Sequence, residues 1–338
     1  MTFTGSKIRA YQLDKLGSLD GLVLAEREMP SPSAGEVLVK VKASSLNFRD
    51  TMILNGAYPA PVPSGRVPLS DGAGEVVELG AGVKRFKVGD RVINSFFPNF
   101  FGGSFNFMPE QWVVDHDGWL TEYKAVSAEA LVAMPEHLTF EEAATLPCVA
   151  VTAWSALSGV RAGDTVLTQG TGGVSLFALQ LAKALGARVI ATTSSPENAA
   201  RLRELGADEV IDYRASPEWG DQVRALTSGR GVDRVVEVGG PGTLAQSIKA
   251  VAYGGQVSLV GALAADEGGM DFWSVFMSQA RFQPIATGSR RDLEDLCRLM
   301  EQHQIRPVID SVYSFDDAKA GWSHYAGRKV TGKVVFRH

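Results

Sequence analysis

Cysteine is scarce in this chain: 338 residues hold two, Cys148 and Cys297, far apart in sequence. Two thiols exclude a disulfide framework and a four-cysteine zinc lobe; they read as buried, reduced thiols of a cytosolic protein. A basic surplus is also lacking. Asp and Glu number 38 against 33 Lys and Arg, a formal net charge of -5, which argues against nucleic acid or anionic lipid as the main partner. No stretch reaches the roughly 20 apolar residues that span a bilayer. Met1 to Leu13 carries Lys7 and Arg9 but no long apolar run, so no signal peptide is read there. The expected location is the cytoplasm, with no membrane partner. Internal repeats and low-complexity segments are missing as well.

What is present suits a large globular chain. Hydrophobic residues make up 45% and glycines number 36, enough for a sizeable core and many tight turns. The length exceeds one ordinary domain and fits two. The first third reads as β structure: Ile8–Leu13, Leu22–Met29, Glu36–Leu46, Gly72–Gly80 and Arg91–Phe96 are short apolar runs separated by Gly, Pro and Ser. Thr139-Phe140-Glu141-Glu142 matches a capping box, opening a helix toward Leu157 that Pro147 should kink. Strand and helix then alternate. Expected strands are Thr165–Gln169, Ala187–Thr193, Asp208–Asp212, Val232–Val238, Gln256–Val260 and Phe282–Thr287. Ser195-Pro196 and Ser216-Pro217 place a cap before a first-turn proline. Six such strands imply a doubly wound parallel sheet and an α/β fold class. The tail returns to strand-like runs, Pro307–Tyr313 and Lys333–Phe336, which should rejoin the first domain.

The most informative segment is Thr165-Val166-Leu167-Thr168-Gln169-Gly170-Thr171-Gly172-Gly173-Val174-Ser175. A buried strand runs into a Gly-rich turn and then an apolar helix. Gly170 allows the turn, Gly172 lets the backbone approach a pyrophosphate, and the helix end offers free N–H groups and a positive dipole. Ser175 stands where the usual pattern has its last Gly or Ala. About 20 residues on, an NAD site carries an acidic residue for the ribose hydroxyls; here the stretch reads Ala191-Thr192-Thr193-Ser194-Ser195. With no carboxylate to repel a 2′-phosphate, NADPH is favoured over NADH. The alternative is that Ser194 and Ser195 only cap the following helix.

Together these residues resemble the medium-chain dehydrogenase/reductase superfamily, in particular its zinc-free quinone oxidoreductase branch, which includes zeta-crystallin. The resemblance covers nearly the whole chain. Its landmarks are Asn47-Phe48-Arg49-Asp50, Gly56-Ala57-Tyr58-Pro59, Ser70-Asp71-Gly72-Ala73-Gly74, Gly89-Asp90-Arg91-Val92, the Gly170–Val174 turn (Gly170, Thr171, Gly172, Gly173, Val174) and Gly332-Lys333-Val334-Val335. It implies a GroES-like, β-rich catalytic domain from residues 1–148 and 289–338, a Rossmann domain over 149–288, a cofactor between them, and a homodimer. Zinc-dependent relatives place Cys where this chain has Asn47 and His where it has Ser70. Their third ligand position matches Cys148, and one ligand of three does not hold zinc. The segment from Asn94 to Trp119, near a cysteine-rich lobe in relatives, has no cysteine. No metal is therefore expected. Tyr213 and Arg328 resemble the family's contacts to the 2′-phosphate. A lysine expected after the second strand is Asn198 here, with Arg201 one turn later. Thr152 and the turns at Val238-Gly239-Gly240 and Val260-Gly261-Ala262 resemble positions near the nicotinamide.

Without zinc, a substrate carbonyl must be polarised by hydrogen-bond donors, and Asn47, Tyr58 and Ser70 are the candidates. The amide of Asn47, at the old ligand position, should face the nicotinamide. Tyr58 either orients the carbonyl, delivers a proton, or only packs in its Pro-rich loop. Asp50 reads chiefly as structural. The aromatic run from Phe96 to Met108 is either a lid over an apolar substrate or a plug or dimer contact. Two Tyr-x-x-x-Lys pairs, Tyr11/Lys15 and Tyr325/Lys329, mimic short-chain dehydrogenases, but those begin with their Rossmann fold. Alcohol oxidation needs a base or metal to take the hydroxyl proton, whereas hydride addition to an activated C=C needs less. The expected activity is NADPH-dependent reduction of small apolar enones or quinones. A metal-free alcohol or carbonyl oxidoreductase and a non-catalytic NADPH-binding protein are the alternatives.

Overall fold

The computed structural model describes residues 6–261, 263 and 271–338. The chain divides into two compact units, Met1–Val151 with Gly288–His338, and Thr152–Thr287. The strands of the first stretch are β1 (Lys7–Leu13), β2 (Leu22–Glu28), β3 (Glu36–Ser45), β4 (Asp71–Leu79), β5 (Arg91–Asn94), β6 (Tyr123–Ser127) and β7 (Leu131–Ala133). The second unit adds β8 (Thr165–Gln169), β9 (Arg188–Thr193), β10 (Glu209–Asp212), β11 (Val232–Glu237), β12 (Val251–Leu259) and β13 (Arg281–Pro284), and the tail β14 (Ile309–Ser314) and β15 (Lys333–Arg337). The helices are α1 (Phe48–Leu54), α2 (Phe140–Ala143), α3 (Val151–Ala156), α4 (Gly173–Ala184), α5 (Pro196–Glu204), α6 (Trp219–Leu226), α7 (Pro241–Ala250), α8 (Phe272–Ser278), α9 (Arg290–His303) and α10 (Ala318–Ala326).

In the first unit a sheet runs in the order β14-β15-β3-β4-β5-β7, with β6 also paired to β3, while β1 and β2 form a separate antiparallel pair. The tail does rejoin this unit: β15 lies antiparallel to β3, with Val335 opposite Ser45, and parallel to β14. Strand β3 is central because its sequence is buried almost throughout. Val37, Val39, Val41, Leu46, Val76, Trp119, Trp322 and Phe336 share its core. Gly72 is required there, since a Cβ would stand 2.5 Å from the Trp119 ring.

The second unit is an all-parallel sheet ordered β10-β9-β8-β11-β12-β13. The chain first steps outward from β8 through β9 to β10, then crosses back to β11 and continues the other way. That reversal is the topological switch point at which such sheets bind ligands, beyond the carboxyl ends of their strands. Leu167, Ile190, Val235, Val257 and Trp219 pack its core.

Three local expectations are refined. The helix opened by the Thr139 capping box does form, with Glu142 N–H donating to Thr139 Oγ1, but Pro147 lies in a wider π turn, Leu146–Ala150, before α3. The helix expected from Ser216-Pro217 begins later, at Trp219 with Glu218 as its cap. The last strand of the parallel sheet ends at Pro284, short of Thr287.

Candidate functional site

The second unit gathers one group of candidates at the carboxyl ends of its strands. Gly170 follows β8 with φ +70, a left-handed conformation that only glycine adopts without strain. Its N–H donates to Thr192 O at 2.8 Å, which ties the turn to β9. Gly172 caps α4 with φ -74 and ψ 167, and no side chain closes the helix end. A Cβ on Gly170 or Gly172 would meet nothing within 4 Å. The turn from Gly170 through Thr171, Gly172 and Gly173 to Val174 therefore borders open space, with the first-turn N–H groups of α4 uncapped by any side chain. Ser175 is buried and donates to Gln169 O at 2.6 Å, so the serine at the family's last small position stitches the turn internally.

Ser194 and Ser195 follow β9, and Ser195 Oγ accepts the Asn198 N–H at 3.3 Å as the cap of α5. Tyr213 follows β10, its N–H donating to Thr193 O at 3.0 Å, with a side chain 40% exposed. Val238 and Gly261 follow β11 and β12, while Ala262 lies outside the described residues. Thr152 is buried at the start of this unit. Arg328 belongs to the first unit, exposed and left-handed at φ +54.

The first unit holds the other candidates in two neighbouring networks. Asn47 precedes α1 and is buried; its Nδ2 donates to Asp71 Oδ2 at 2.9 Å, and its Oδ1 accepts from Lys333 Nζ at 2.6 Å. Lys333, the first residue of β15, also donates to Leu46 O at 2.6 Å and lies 3.8 Å from Asp71 Oδ2. The Asn47 N–H donates to Asp50 Oδ2 at 2.8 Å. Asn47 is thus fixed by a buried Lys–Asp pair rather than presented as a free amide.

Tyr58 and Ser70 are joined by a residue whose role the sequence did not disclose. Arg49, half-buried on α1, donates to Ser70 Oγ, to Tyr58 Oη at 3.3 Å, to Gln111 Oε1 at 3.1 Å and to Trp112 O at 3.2 Å. Tyr58 in turn donates to Gln111 Oε1 at 2.6 Å. The guanidinium stacks on the Tyr58 ring at 4.8 Å and on Phe96 at 5.1 Å. Two residues flanking this cluster, Leu69 and Val113, hold left-handed backbone at φ +71 and +75, a strain of about 1–3 kcal/mol each that concentrates at working sites. Tyr58 also borders a cavity of ≈ 310 Å³ lined by Leu16, Ile53, Pro59, Pro61 and Val62.

Burial governs the charges here. It pushes the Asp50 carboxyl up to about 7 despite Arg49. It raises Asp71 and lowers Lys333, each partly offset by the other. It raises the Cys148 thiol, with Asp71 adding to the effect. A raised thiol makes a poor thiolate ligand or nucleophile. Among the described residues no group of three or more His, Cys, Asp or Glu could hold a metal ion. The aromatic run divides: Phe96, Phe97 and Phe100 are buried against Cys148, whereas Phe105, Phe107 and Met108 are exposed.

Fold and site define the class: an NAD(P)-dependent oxidoreductase with a β-rich unit and a Rossmann-like unit. The chain belongs to the medium-chain dehydrogenase/reductase superfamily. Residues 33–136 match the alcohol dehydrogenase GroES-like domain and residues 173–302 the zinc-binding dehydrogenase domain. A zinc-type alcohol dehydrogenase-like protein of Schizosaccharomyces pombe is 39% identical, with 96% of this chain and 97% of that protein covered. A quinone oxidoreductase of Pseudomonas aeruginosa is 32% identical over 97% of this chain and 98% of its own. A solved structure from Sinorhizobium meliloti, of a protein assigned as an alcohol dehydrogenase, superposes with a TM-score of 0.92 at 37% identity, covering 100% of both chains. Among the described residues no helix is long and apolar enough to cross a membrane.

Arg49, Gln111 and Lys333 were not legible as site residues. Arg49 and Lys333 both lie inside family landmarks, but only tertiary structure brings Ser70, Tyr58 and Gln111 to Arg49. For Lys333 the sequence did hold a hint, a lysine opening the strand Lys333-Val334-Val335-Phe336, whose first four residues are buried.

Proposed function

We propose that the chain is a zinc-independent, NADPH-dependent reductase of apolar α,β-unsaturated carbonyl compounds or quinones. The observation that carries this reading is the cluster around Arg49. A guanidinium stays protonated at any working pH and only donates hydrogen bonds. It favours a reaction that builds negative charge on oxygen, and it cannot take a proton from an alcohol. Zinc does not suit the old ligand positions: the Asn47 amide is engaged at both ends, the Ser70 hydroxyl accepts from a cation, and the Cys148 thiol is raised.

The turn Gly170–Val174 fits a pyrophosphate, with Ser194, Ser195 and Tyr213 on the adenosine side. NADPH is preferred to NADH because the end of β9 carries no carboxylate. When bound, the reduced nicotinamide supplies a hydride with its electron pair. For an enone, reduction of the β-carbon would shift the C=C π electrons toward the carbonyl oxygen, and the Arg49, Tyr58 and Ser70 side chains would hold the charge that builds there. Tyr58 passes a proton to the α-carbon and regains one from solvent. The cavity beside Tyr58 has room for a substituent of the substrate. The working form is a homodimer, supported by the exposed aromatic face of α8. Reduction of C=O alone, the second reading, is supported by relatives named alcohol dehydrogenase.

The test is NADPH consumption with hydrophobic enones, quinones, aldehydes and ketones, with a chelator present and products identified by NMR. C=C or quinone reduction that survives the chelator is expected. Arg49→Gln should lower kcat by about 10²–10³-fold, as loss of an oxyanion donor does, with NADPH affinity unchanged. Reduction of C=O alone, or loss of activity with the chelator, overturns the proposal.

A further inference from the structure

The aromatic run that follows β5 leaves from the Arg49 cluster and returns to it. At its near end Asn94 Nδ2 donates to Ser70 O at 2.8 Å, and the Arg49 guanidinium stands over the Phe96 ring at 5.1 Å. At its far end Gln111 Oε1 accepts from Tyr58 Oη at 2.6 Å and from Arg49 at 3.1 Å, while Gln111 Nε2 donates to Met108 Sδ at 3.8 Å. Asn99 Oδ1 accepts the Glu110 N–H at 3.0 Å and clasps the two stems together. The segment between them is an Ω-loop, a compact surface loop with closed ends of a kind that is frequently functional.

The two halves of this loop are built differently. Phe97 and Phe100 are buried, and the Phe100 and Phe101 carbonyls accept the N–H groups of Arg290 at 2.9 Å and Arg291 at 3.2 Å at the start of α9. From Gly102 to Pro109 the backbone makes no backbone hydrogen bond among the described residues, and Gly103 holds φ +90. Ring packing holds this half instead: Phe105 meets Phe97 at 5.9 Å and Phe100 at 5.6 Å, and Phe107 meets Phe100 at 6.1 Å. Phe105, Phe107 and Met108 nevertheless stay 44%, 49% and 72% exposed. A segment with so few backbone hydrogen bonds opens at low cost, and its apolar side chains offer more surface than the loop itself covers.

We propose that Phe105, Phe107 and Met108 form a wall that closes on the apolar substituent of the substrate, so that this loop selects substrates by the size of that substituent. The inference rests on the reading of Arg49, Tyr58 and Ser70 as the carbonyl-binding cluster. Continuity identifies the occupant. Met108 is one hydrogen bond from Gln111, and Gln111 is one hydrogen bond from both Tyr58 and Arg49. A ligand held by its oxygen at the cluster is therefore within a side chain's length of the loop tip. Composition identifies its chemistry: residues 96–109 include no charged side chain, and phenylalanine rings with an adaptable thioether suit an uncharged alkyl or aryl group.

Alkyl vinyl ketones from methyl to pentyl share one reactive end and differ in chain length alone, so their kcat/KM at saturating NADPH reads the wall directly. Each CH₂ that the wall buries is worth about threefold, and the parent should favour pentyl over methyl vinyl ketone by about tenfold or more. With Phe105→Ala, Phe107→Ala and Met108→Ala combined, that ratio should fall to about threefold or less. A merely structural defect lowers both values alike and leaves the ratio where it was. Chymotrypsin cleavage of the full chain after Phe105 or Phe107 gives a second readout that needs no turnover. With NADP⁺ present, the saturated product ethyl pentyl ketone should slow cleavage, and ethyl methyl ketone should not. An unchanged ratio in the variant overturns the wall, and if light scattering then shows that a partner copy has been lost, the tip belongs to a contact between copies. Cleavage slowed by both ketones alike, or by neither, overturns the closure. A parent that reduces these ketones without a chain-length preference overturns the wall alone, whereas a parent that reduces none of them, and no quinone, overturns the proposed function and the wall with it.

Discussion

Asp50 carries a carboxyl whose folded environment favours the proton, because burial outweighs Arg49 and the Asn47 N–H. An acid raised from 3.8 to about 7 binds a proton in the folded state where the unfolded chain has released it. Stability is therefore greatest at low pH from this group and falls as pH rises from about 4 to about 7, after which it levels. At about 1.4 kcal/mol per pH unit the whole effect is on the order of 4 kcal/mol at most. Asp50→Asn keeps an acceptor for the Asn47 N–H and cannot titrate. Denaturant unfolding at pH 5 and pH 8 should show a smaller drop in stability for the variant than for the parent. Asp71, raised by burial in the same network, retains part of the slope. An unchanged slope would mean that the Asp50 carboxylate is stabilised in the fold as well as it is in water. Nothing in the local sequence announces this: Asp50 looks like an ordinary helix-capping residue, and only its enclosure by β4 and β15 residues changes its chemistry.

At the scale of elements, the β8–α4 turn separates binding from folding. Gly172 has an ordinary φ of -74 and open space where a side chain would go, so alanine's poorer N-cap preference and the unfolded-chain entropy it removes largely offset, and Gly172→Ala should shift stability by less than about 1 kcal/mol. The added methyl stands where a pyrophosphate approaches the helix end, and NADPH affinity should fall about tenfold or more. Gly170→Ala makes the contrast, since φ +70 costs a side chain about 1–2 kcal/mol and thermal unfolding would register it. If G172A binds NADPH as the parent does, the turn does not hold the phosphates. This element was readable in advance because its signal is local: strand, glycines and helix are contiguous, and each glycine has a backbone reason. The alternation of strands and helices was readable for the same cause. The hydrogen bond from Gln169 to Glu237 was not, because β8 and β11 become neighbours only when the sheet reverses its order. The helix after Ser216-Pro217 started late because a serine–proline pair marks a turn as readily as a first helical turn, and Trp219 is the residue that packs.

For the whole molecule, the unresolved balance is between a covered and an uncovered face. In α8, Phe272, Trp273 and Met277 are 67%, 65% and 62% exposed. The rings of Phe272, Trp273 and Phe276 cluster at centroid distances of 5.5–6.1 Å. β13 is the outer strand of its sheet, and its free edge has no strand partner among the described residues. A contiguous aromatic patch beside an open strand edge is a liability for a monomer, and a second copy that lays the same patch against itself about a two-fold axis removes it. The resemblance to dimeric reductases pointed the same way from sequence, without saying which surface serves. Light scattering on the parent should then give about twice the 36.2 kDa of one chain. Trp273→Glu with Phe276→Glu puts two carboxylates into that contact. Truncated aromatic anchors cost about 2 kcal/mol or more each at an interface, so the variant should elute at the mass of one chain across micromolar concentrations. Its affinity for NADPH should stay close to the parent's, because the Gly170–Val174 turn lies at the β8–α4 junction and α8 follows β12. A parent already at 36.2 kDa, or a double variant that still pairs, would move the contact to another surface, and the exposed residues Phe105, Phe107 and Met108 of the first unit would be the next to carry glutamate.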